Sequence, residues 1–178
     1  MTSRTAWIFP LTLLATACAS RPPVPDGTGA GAFQIERDLV GEHIARGEFR
    51  TITGVRRSFT ARLNGSWDES RLTLVEDFEF DDGERDRKTW HLDRTGPGTY
   101  SGTREDVVGT ARGFQDGNVF RLEYDIVLPS EKGTGRKVRF RDVLALADDD
   151  TVVNDATIGW LGFRVGSVNL TIRPGDTQ

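Results

Sequence analysis

The stretch 72–83, LTLVEDFEFDDG, decides the fold class of this 178-residue chain. Its apolar side chains recur with a period of two residues: Leu72, Leu74, Phe78 and Phe80. Such alternation predicts a β-strand with one buried face and one solvated face. Asp82-Gly83 then predicts a tight hairpin turn, because Gly readily adopts the positive φ of a type I′ turn and Asp tolerates it.

The same alternation recurs along the rest of the chain, with turn residues between the runs. We predict strands at 42–51, 56–67, 71–81, 84–94, 99–113, 118–129, 136–147, 151–158 and 163–172. The only helix that we predict is a short turn near 34–40. Because tight turns join most of the strands, we predict an all-β fold: a single antiparallel up-and-down β-barrel of about 8–9 strands, lipocalin-like. An open β-sandwich is the alternative.

The first residues have the organisation of a bacterial export signal. Positions 1–17 combine a charged start with an apolar run that is about half the roughly 20 residues a membrane-spanning helix needs. Cys18 is the only cysteine of the chain and follows small residues, as in a bacterial lipobox. We therefore predict a lipoprotein signal peptide at 1–17 and lipidation of Cys18. Ordinary cleavage after Ala17 or Ala19 is the alternative.

The residues after Cys18 predict a tether and a location. The segment 18–32 is rich in proline and glycine, which is typical of a flexible linker, and we predict the barrel domain at 33–178. Ala19 and Ser20 lack the Asp that retains many lipoproteins in the inner membrane. We therefore expect an outer-membrane lipoprotein that faces the periplasm and has the membrane as a partner through its N-terminal lipid.

Composition argues against several classes of function. Lys and Arg number 23 and Asp and Glu number 27, giving a formal net charge of -4, so we expect no nucleic-acid partner. A single cysteine excludes an intrachain disulfide and a Cys-rich zinc site. The sequence contains no G-x-S-x-G, phosphate-binding loop or H-E-x-x-H motif. We therefore predict no catalytic residue, no cofactor and no metal.

Some polar residues fall on strand faces that are otherwise apolar. Glu76 shares the face of the apolar residues in 72–80, and Asp142 shares a face with Phe140. A buried charge must be paired, hydrogen-bonded or neutralised, so we expect Lys88 or Arg104 beside Glu76. The full inward-facing set is Glu76, Lys88, Trp90, Arg104, Asp106, Tyr124 and Asp142.

Two interpretations of this inward-facing set remain open. It forms either a satisfied buried network or a hypothetical ligand-binding site, in which a few convergent polar groups fix the head group of a bound molecule between apolar walls.

Several spaced segments resemble one known family: 72–83 with Trp90 and Leu92, 106–111, Gly117-Asn118 with Tyr124, and 140–142. The family is the proteobacterial lipoprotein family called domain of unknown function 3833, and the resemblance extends from about Phe33 to Ile172. It implies a Gram-negative envelope lipoprotein. It supplies no established activity and therefore implies no catalytic residues.

We therefore expect a non-catalytic cell-envelope lipoprotein whose barrel binds a small apolar or lipid-like molecule. One alternative is a structural or accessory lipoprotein that acts through a protein partner, and another is a barrel enzyme that uses the inward carboxylates. An internal cavity would favour the first function, and a filled core with a large exposed apolar patch would favour the second. An open cleft with paired carboxylates of strongly shifted pKa would favour the enzyme.

Overall fold

The computed structural model describes residues 20–128, 135–147 and 149–175, and most of these residues lie in β-strands. In chain order the elements are α1 Ile35–Asp38, β1 Gly41–Thr51, β2 Arg56–Asp68, β3 Arg71–Phe80, β4 Arg85–Gly96, β5 Thr99–Thr103, β6 Ala111–Asp116, β7 Val119–Leu128, β8 Arg136–Leu146, β9 Val152–Trp160 and β10 Phe163–Pro174. The helix α1 is a single turn. The chain is therefore all-β, as the alternation predicts.

The strands form one closed antiparallel barrel. Each strand pairs with its neighbours in sequence, and β1 also pairs with β10 over a register that runs from His43–Pro174 to Thr51–Gly166. Closure gives every described strand a hydrogen-bonded neighbour on both sides over at least part of its length. The predicted up-and-down barrel is confirmed, and the open β-sandwich is excluded.

The predicted strand 99–113 is wrong, because it is two strands joined by the loop 104–110. The chain reverses within this loop, where Gly109 has a φ of 75°, so that Gly102 of β5 pairs with Ala111 of β6. The Val108 amide donates to the Asp125 carbonyl oxygen of β7 at 2.8 Å. The loop therefore continues the barrel wall beside β7, and the described barrel has ten strands instead of about 8–9.

The segment around α1 plugs one end of the barrel. Phe33, Ile35 and Leu39 are 0%, 1% and 3% exposed. The backbone of Leu39 lies so close to β2 that a Cβ at Gly65 would lie 1.7 Å from the Leu39 carbonyl oxygen. This plugged end requires glycine at position 65. The β1–β2, β3–β4, β5–β6 and β9–β10 connections lie at the opposite end, which is named the open end below.

The described part of the predicted tether, residues 20–32, begins along the outer wall of the barrel. The Thr157 hydroxyl of β9 donates to the Ser20 carbonyl oxygen at 2.9 Å. Nine residues later, the Gly29 amide donates to the Leu146 carbonyl oxygen at 2.8 Å, near the plugged end. None of the helices in the described ranges is long and apolar enough to cross a membrane. Residues 1–19, with the predicted signal peptide and Cys18, lie outside the described residues.

Candidate functional site

The barrel encloses a cavity of about 370 Å³. Its lining is mostly aliphatic and aromatic and comes from the plug, from the loop 104–110 and from every strand except β5 and β6. The volume equals that of about a dozen water molecules, and it lies within the range of about 300–1,000 Å³ that is usual for small-molecule sites. The core of this barrel is therefore not filled by its own side chains.

Phenylalanines form the cavity wall toward the open end. Phe59 of β2 and Phe78 of β3 have ring centroids 5.5 Å apart, and Phe80 lies 5.8 Å from Phe59. These three rings are partly exposed and line the cavity, so the cavity reaches the surface at this end. Arg57 covers the outer ring, with its guanidinium carbon 3.7 Å from the Phe80 centroid.

Arg104 is the centre of a polar cluster in the cavity wall. It belongs to the loop 104–110, and its side chain is only 12% exposed. Its Nε donates to Asp106 Oδ1 at 2.7 Å, and its Nη1 lies 3.6 Å from Glu76 Oε2. The guanidinium also lies 4.7 Å from the ring centroid of Trp90 and 5.3 Å from that of Tyr124. One buried cation is thus held by two carboxylates and two aromatic rings.

Glu76 points into the barrel from the centre of β3. Its side chain is 13% exposed. Burial raises the pKa of Glu76 from 4.5 to about 7, although the positive charge of Arg104 opposes this shift. At neutral pH this carboxyl group is therefore close to the midpoint of its titration.

Asp142 of β8 is the second buried carboxyl group, with a residue exposure of 6%. The Tyr124 hydroxyl donates to Asp142 Oδ2 at 3.4 Å. Burial raises the pKa of Asp142 from 3.8 to about 7, again against the opposing charge of Arg104. Glu76 and Asp142 can thus both exchange a proton near neutral pH.

Three buried oxygens of the cavity wall make no hydrogen bond within the described part of the chain. They are Oε2 of Glu76, Oδ1 of Asp142 and Oδ1 of Asn154, and all three residues line the cavity. A buried acceptor without a donor is unfavourable by about 1–3 kcal/mol. The cavity therefore presents acceptors that a bound molecule with donor groups could satisfy.

The structure brings together five of the seven predicted inward residues at the cavity wall: Glu76, Trp90, Arg104, Tyr124 and Asp142. Lys88 and Asp106 do not line it. Lys88 lies opposite Glu76 in the β3–β4 register, but its Nζ pairs with Asp86 Oδ2 at 2.9 Å. Asp106 holds Arg104 in place. Whether the five residues bind a ligand stays a prediction.

Asn154 is a cavity residue that our sequence analysis missed. It alternates with Val152 and Ala156 on the inward face of β9, both of which are buried. The same period-two pattern could therefore have identified it. The described residues contain no group of three or more His, Cys, Asp or Glu side chains placed to hold a metal ion.

Comparison with known proteins supplies a family and a fold. The model of a family described as Protein of unknown function (DUF3833) matches residues 12–174, whereas no curated protein sequence matches significantly. The S-type phycobiliprotein lyase CPES from Guillardia theta has a similar structure, with a TM-score of 0.61, 10% identity, and coverage of 81% of this chain and 92% of that chain. EF1p2_mFAP2b bound to DFHBI also matches, with a TM-score of 0.40, 10% identity, and coverage of 78% and 95%. At this identity, the likeness to the lyase shows a shared barrel fold alone.

Proposed function

The chain belongs to the DUF3833 family of proteins of unknown function, and we propose that it is a non-catalytic cell-envelope lipoprotein that binds a small amphipathic, lipid-like molecule inside its barrel. In this proposal Cys18 carries the lipid that anchors the protein to the outer membrane, on the periplasmic side. The observation that carries the binding function is the 370 Å³ cavity, which joins an apolar wall to a buried polar cluster.

The apolar part of the cavity suits a hydrocarbon chain. Aliphatic side chains of β3, β7, β8 and β10 and the phenylalanines of the open end surround most of the space. Transfer of a hydrocarbon chain from water into such a site is favourable by about 0.8 kcal/mol for each buried methylene group. An apolar tail is therefore the part of a ligand that would supply most of the affinity.

The polar cluster suits a head group that donates hydrogen bonds. The three oxygens that accept no hydrogen bond from the described residues belong to Glu76, Asp142 and Asn154, and that of Glu76 has only the ion pair with Arg104 at 3.6 Å. Both arginines of the cavity wall are already engaged by carboxylates, since Arg104 binds Asp106 and Arg57 binds the turn 81–84. A hydroxyl or amine head group would satisfy the acceptors, whereas a carboxylate or phosphate would face carboxyl groups without a spare cation.

Ligand identification tests the proposal directly. The full chain with Cys18→Ser is purified without detergent from the periplasm of a Gram-negative host, and co-purifying molecules are identified by native mass spectrometry. We expect an amphipathic molecule with a hydroxyl or amine head group. In titrations at mildly alkaline pH, dodecanol and dodecylamine should bind more tightly than dodecanoate, which shares their tail. Equal binding of the three would refute the head-group argument, and no binding of any would refute the ligand-binding function.

Matched variants locate the binding site. Glu76→Gln and Asp142→Asn should each weaken dodecylamine binding about tenfold, because each removes a charge-assisted hydrogen bond. Asp77→Asn is the control, since Asp77 neighbours Glu76 in β3 but is 44% exposed and pairs with Arg87 outside the barrel. If the control weakens binding as much as Glu76→Gln, the ligand does not occupy the cavity.

The second candidate function is that of an enzyme that uses the two buried carboxyl groups as general acid and base. The pKa values of Glu76 and Asp142 are both raised to about 7, which is the range that general acid–base catalysis requires at neutral pH. Incubating the protein with the molecule that co-purifies with it distinguishes an enzyme from a binding protein. A molecule that stays unchanged on incubation supports binding, and a product that the Glu76→Gln variant fails to form supports an enzyme.

A further inference from the structure

Large apolar side chains are exposed at the open end of the barrel. They lie in the β1–β2 and β9–β10 connections and at the strand ends beside the second. The two connections adjoin, because the Ile52 amide donates to the Val165 carbonyl oxygen at 3.0 Å. The exposed fractions are 71% for Ile52, 56% for Val55, 36% for Trp160, 75% for Leu161 and 56% for Phe163. These five residues are named the apolar rim. Clustered exposure of this kind marks an interaction surface more often than isolated apolar residues do.

The turn between β9 and β10 holds a leucine where the fold would favour another residue. Trp160 pairs with Phe163, so Leu161 and Gly162 form a two-residue turn, with φ angles of 49° and 85°. Asn, Asp or Gly is preferred at the first of these positions, and a left-handed conformation is unfavourable for leucine by roughly 1–2 kcal/mol. An exposed leucine at this position does not serve folding, so it points to a contact outside the chain.

Basic residues flank the apolar rim. Arg56 follows the β1–β2 connection, Arg164 follows Phe163, and both are exposed with no acidic partner among the described residues. In the neighbouring acidic turn 81–84, the carboxylates of Asp82 and Glu84 pair with Arg57, and that of Asp81 accepts the Ser58 amide, so none of the three pairs with Arg56 or Arg164. The apolar rim with its adjacent exposed arginines is complementary to the surface of an anionic bilayer, in which acyl chains lie beneath negative head groups.

The N-terminal segment reaches the barrel on the side of the apolar rim. Ser20 accepts the hydrogen bond of Thr157, which precedes Trp160 in β9 by three residues, or roughly 10 Å of strand. Ser20, the first described residue, therefore lies on the side of the barrel that carries the apolar rim.

We propose that the apolar rim and its flanking arginines dock on the surface of an anionic lipid bilayer. This inference goes beyond ligand binding, because it concerns the outer surface and does not require an occupied cavity. It also predicts membrane affinity in a chain without acyl groups. The experiment below therefore uses the Cys18→Ser full chain, in which the anchor makes no contribution.

Vesicle sedimentation tests the docking surface. The Cys18→Ser chain should bind vesicles of phosphatidylglycerol and phosphatidylethanolamine and bind phosphatidylcholine vesicles more weakly. Adding Leu161→Ser and Phe163→Ser should weaken binding to the anionic vesicles about tenfold or more, because two apolar side chains leave the bilayer. Arg164→Glu should also weaken it. A vesicle-induced blue shift of tryptophan emission should disappear with Trp160→Phe while sedimentation persists.

The controls lie elsewhere on the same chain. Val40→Ser removes an exposed apolar side chain at the plugged end, and Arg46→Glu reverses a charge on the β1 wall. Neither should change vesicle binding, and circular dichroism should show that every variant is folded. Unchanged binding after the Leu161 and Phe163 substitutions would overturn the proposal. So would a protein that binds no vesicles and instead forms a dimer that these substitutions dissociate.

Discussion

Replacing Glu76 with Gln should remove a pH-dependent contribution to the free energy of unfolding. Burial raises the pKa of Glu76 to about 7 in the folded protein, whereas its ordinary value is 4.5. The folded state therefore binds this proton more tightly than the unfolded state does. The resulting stabilisation is fully present below about pH 4.5 and is lost as the pH rises through about 7.

The expected magnitude follows from the two pKa values. Each pH unit between them corresponds to about 1.4 kcal/mol, so Glu76 alone should reduce the unfolding free energy by about 3 kcal/mol across the window. Asp142 has a similarly raised pKa and acts in the same direction. Burial lowers the pKa of His43, so that group acts in the opposite direction. Both groups remain in the variant, and the difference between the two proteins isolates Glu76.

Urea unfolding followed by circular dichroism measures this difference. The Glu76→Gln variant should gain about 3 kcal/mol relative to the parent chain between about pH 4.5 and about pH 8, and the difference should level off outside that window. Asp77→Asn is the control, because the hydrogen bond from Arg87 lowers the pKa of Asp77. The contribution of Asp77 to the free energy of unfolding therefore changes only at more acidic pH. If the Glu76→Gln and parent curves run parallel throughout the window, Glu76 is not buried with a raised pKa.

Three other substitutions test the anchor, the polar cluster and the plug. Cys18→Ser should move the protein from the membrane fraction to the soluble periplasmic fraction, because several acyl chains hold a protein stably and none remains; equal fractionation would contradict the lipobox. Arg104→Met should lower the unfolding free energy by about 3–5 kcal/mol, since the buried Glu76 and the partly buried Asp106 lose their cation, whereas Lys88→Met should change it by less than about 1 kcal/mol. Gly65→Ala should destabilise the chain by about 3 kcal/mol, because its methyl group would overlap the backbone of Leu39; unfolding within error of the parent would show that the plug does not approach β2 this closely.

Strand alternation predicts the barrel and much of its interior because each strand has one buried face. Once the parity of a strand is known, every second side chain has a defined direction. The parity of β3 and β8 predicts that Glu76 and Asp142 point inward, and both line the cavity. Turn residues such as Asp82-Gly83 locate the connection between two long consecutive strands, here β3 and β4.

Strand alternation does not reveal that β5 ends at Thr103. The alternation of Tyr100, Arg104, Asp106 and Val108 keeps one parity and conceals the loop that carries Arg104, whereas the buried residues Ala111 and Gly113 of β6 have the opposite parity. It also offers Lys88 and Arg104 as equal partners for Glu76. The choice between them depends on where the loop crosses the wall beside β7, which is a tertiary contact. The cavity volume likewise depends on how far side chains from opposite walls reach, and no single strand determines that.

The two ends of the barrel connect the proposed ligand site with the proposed membrane surface. The plug closes one end with Phe33, Ile35 and Leu39, while the cavity reaches the surface between the phenylalanines of the open end. The apolar rim lies at that same end. A lipid-like molecule that moves between a docked bilayer and the cavity would therefore avoid exposing its tail to water, which is the main barrier to its transfer. In that arrangement the polar cluster sets the affinity for the molecule, and the apolar rim sets the rate at which it is exchanged.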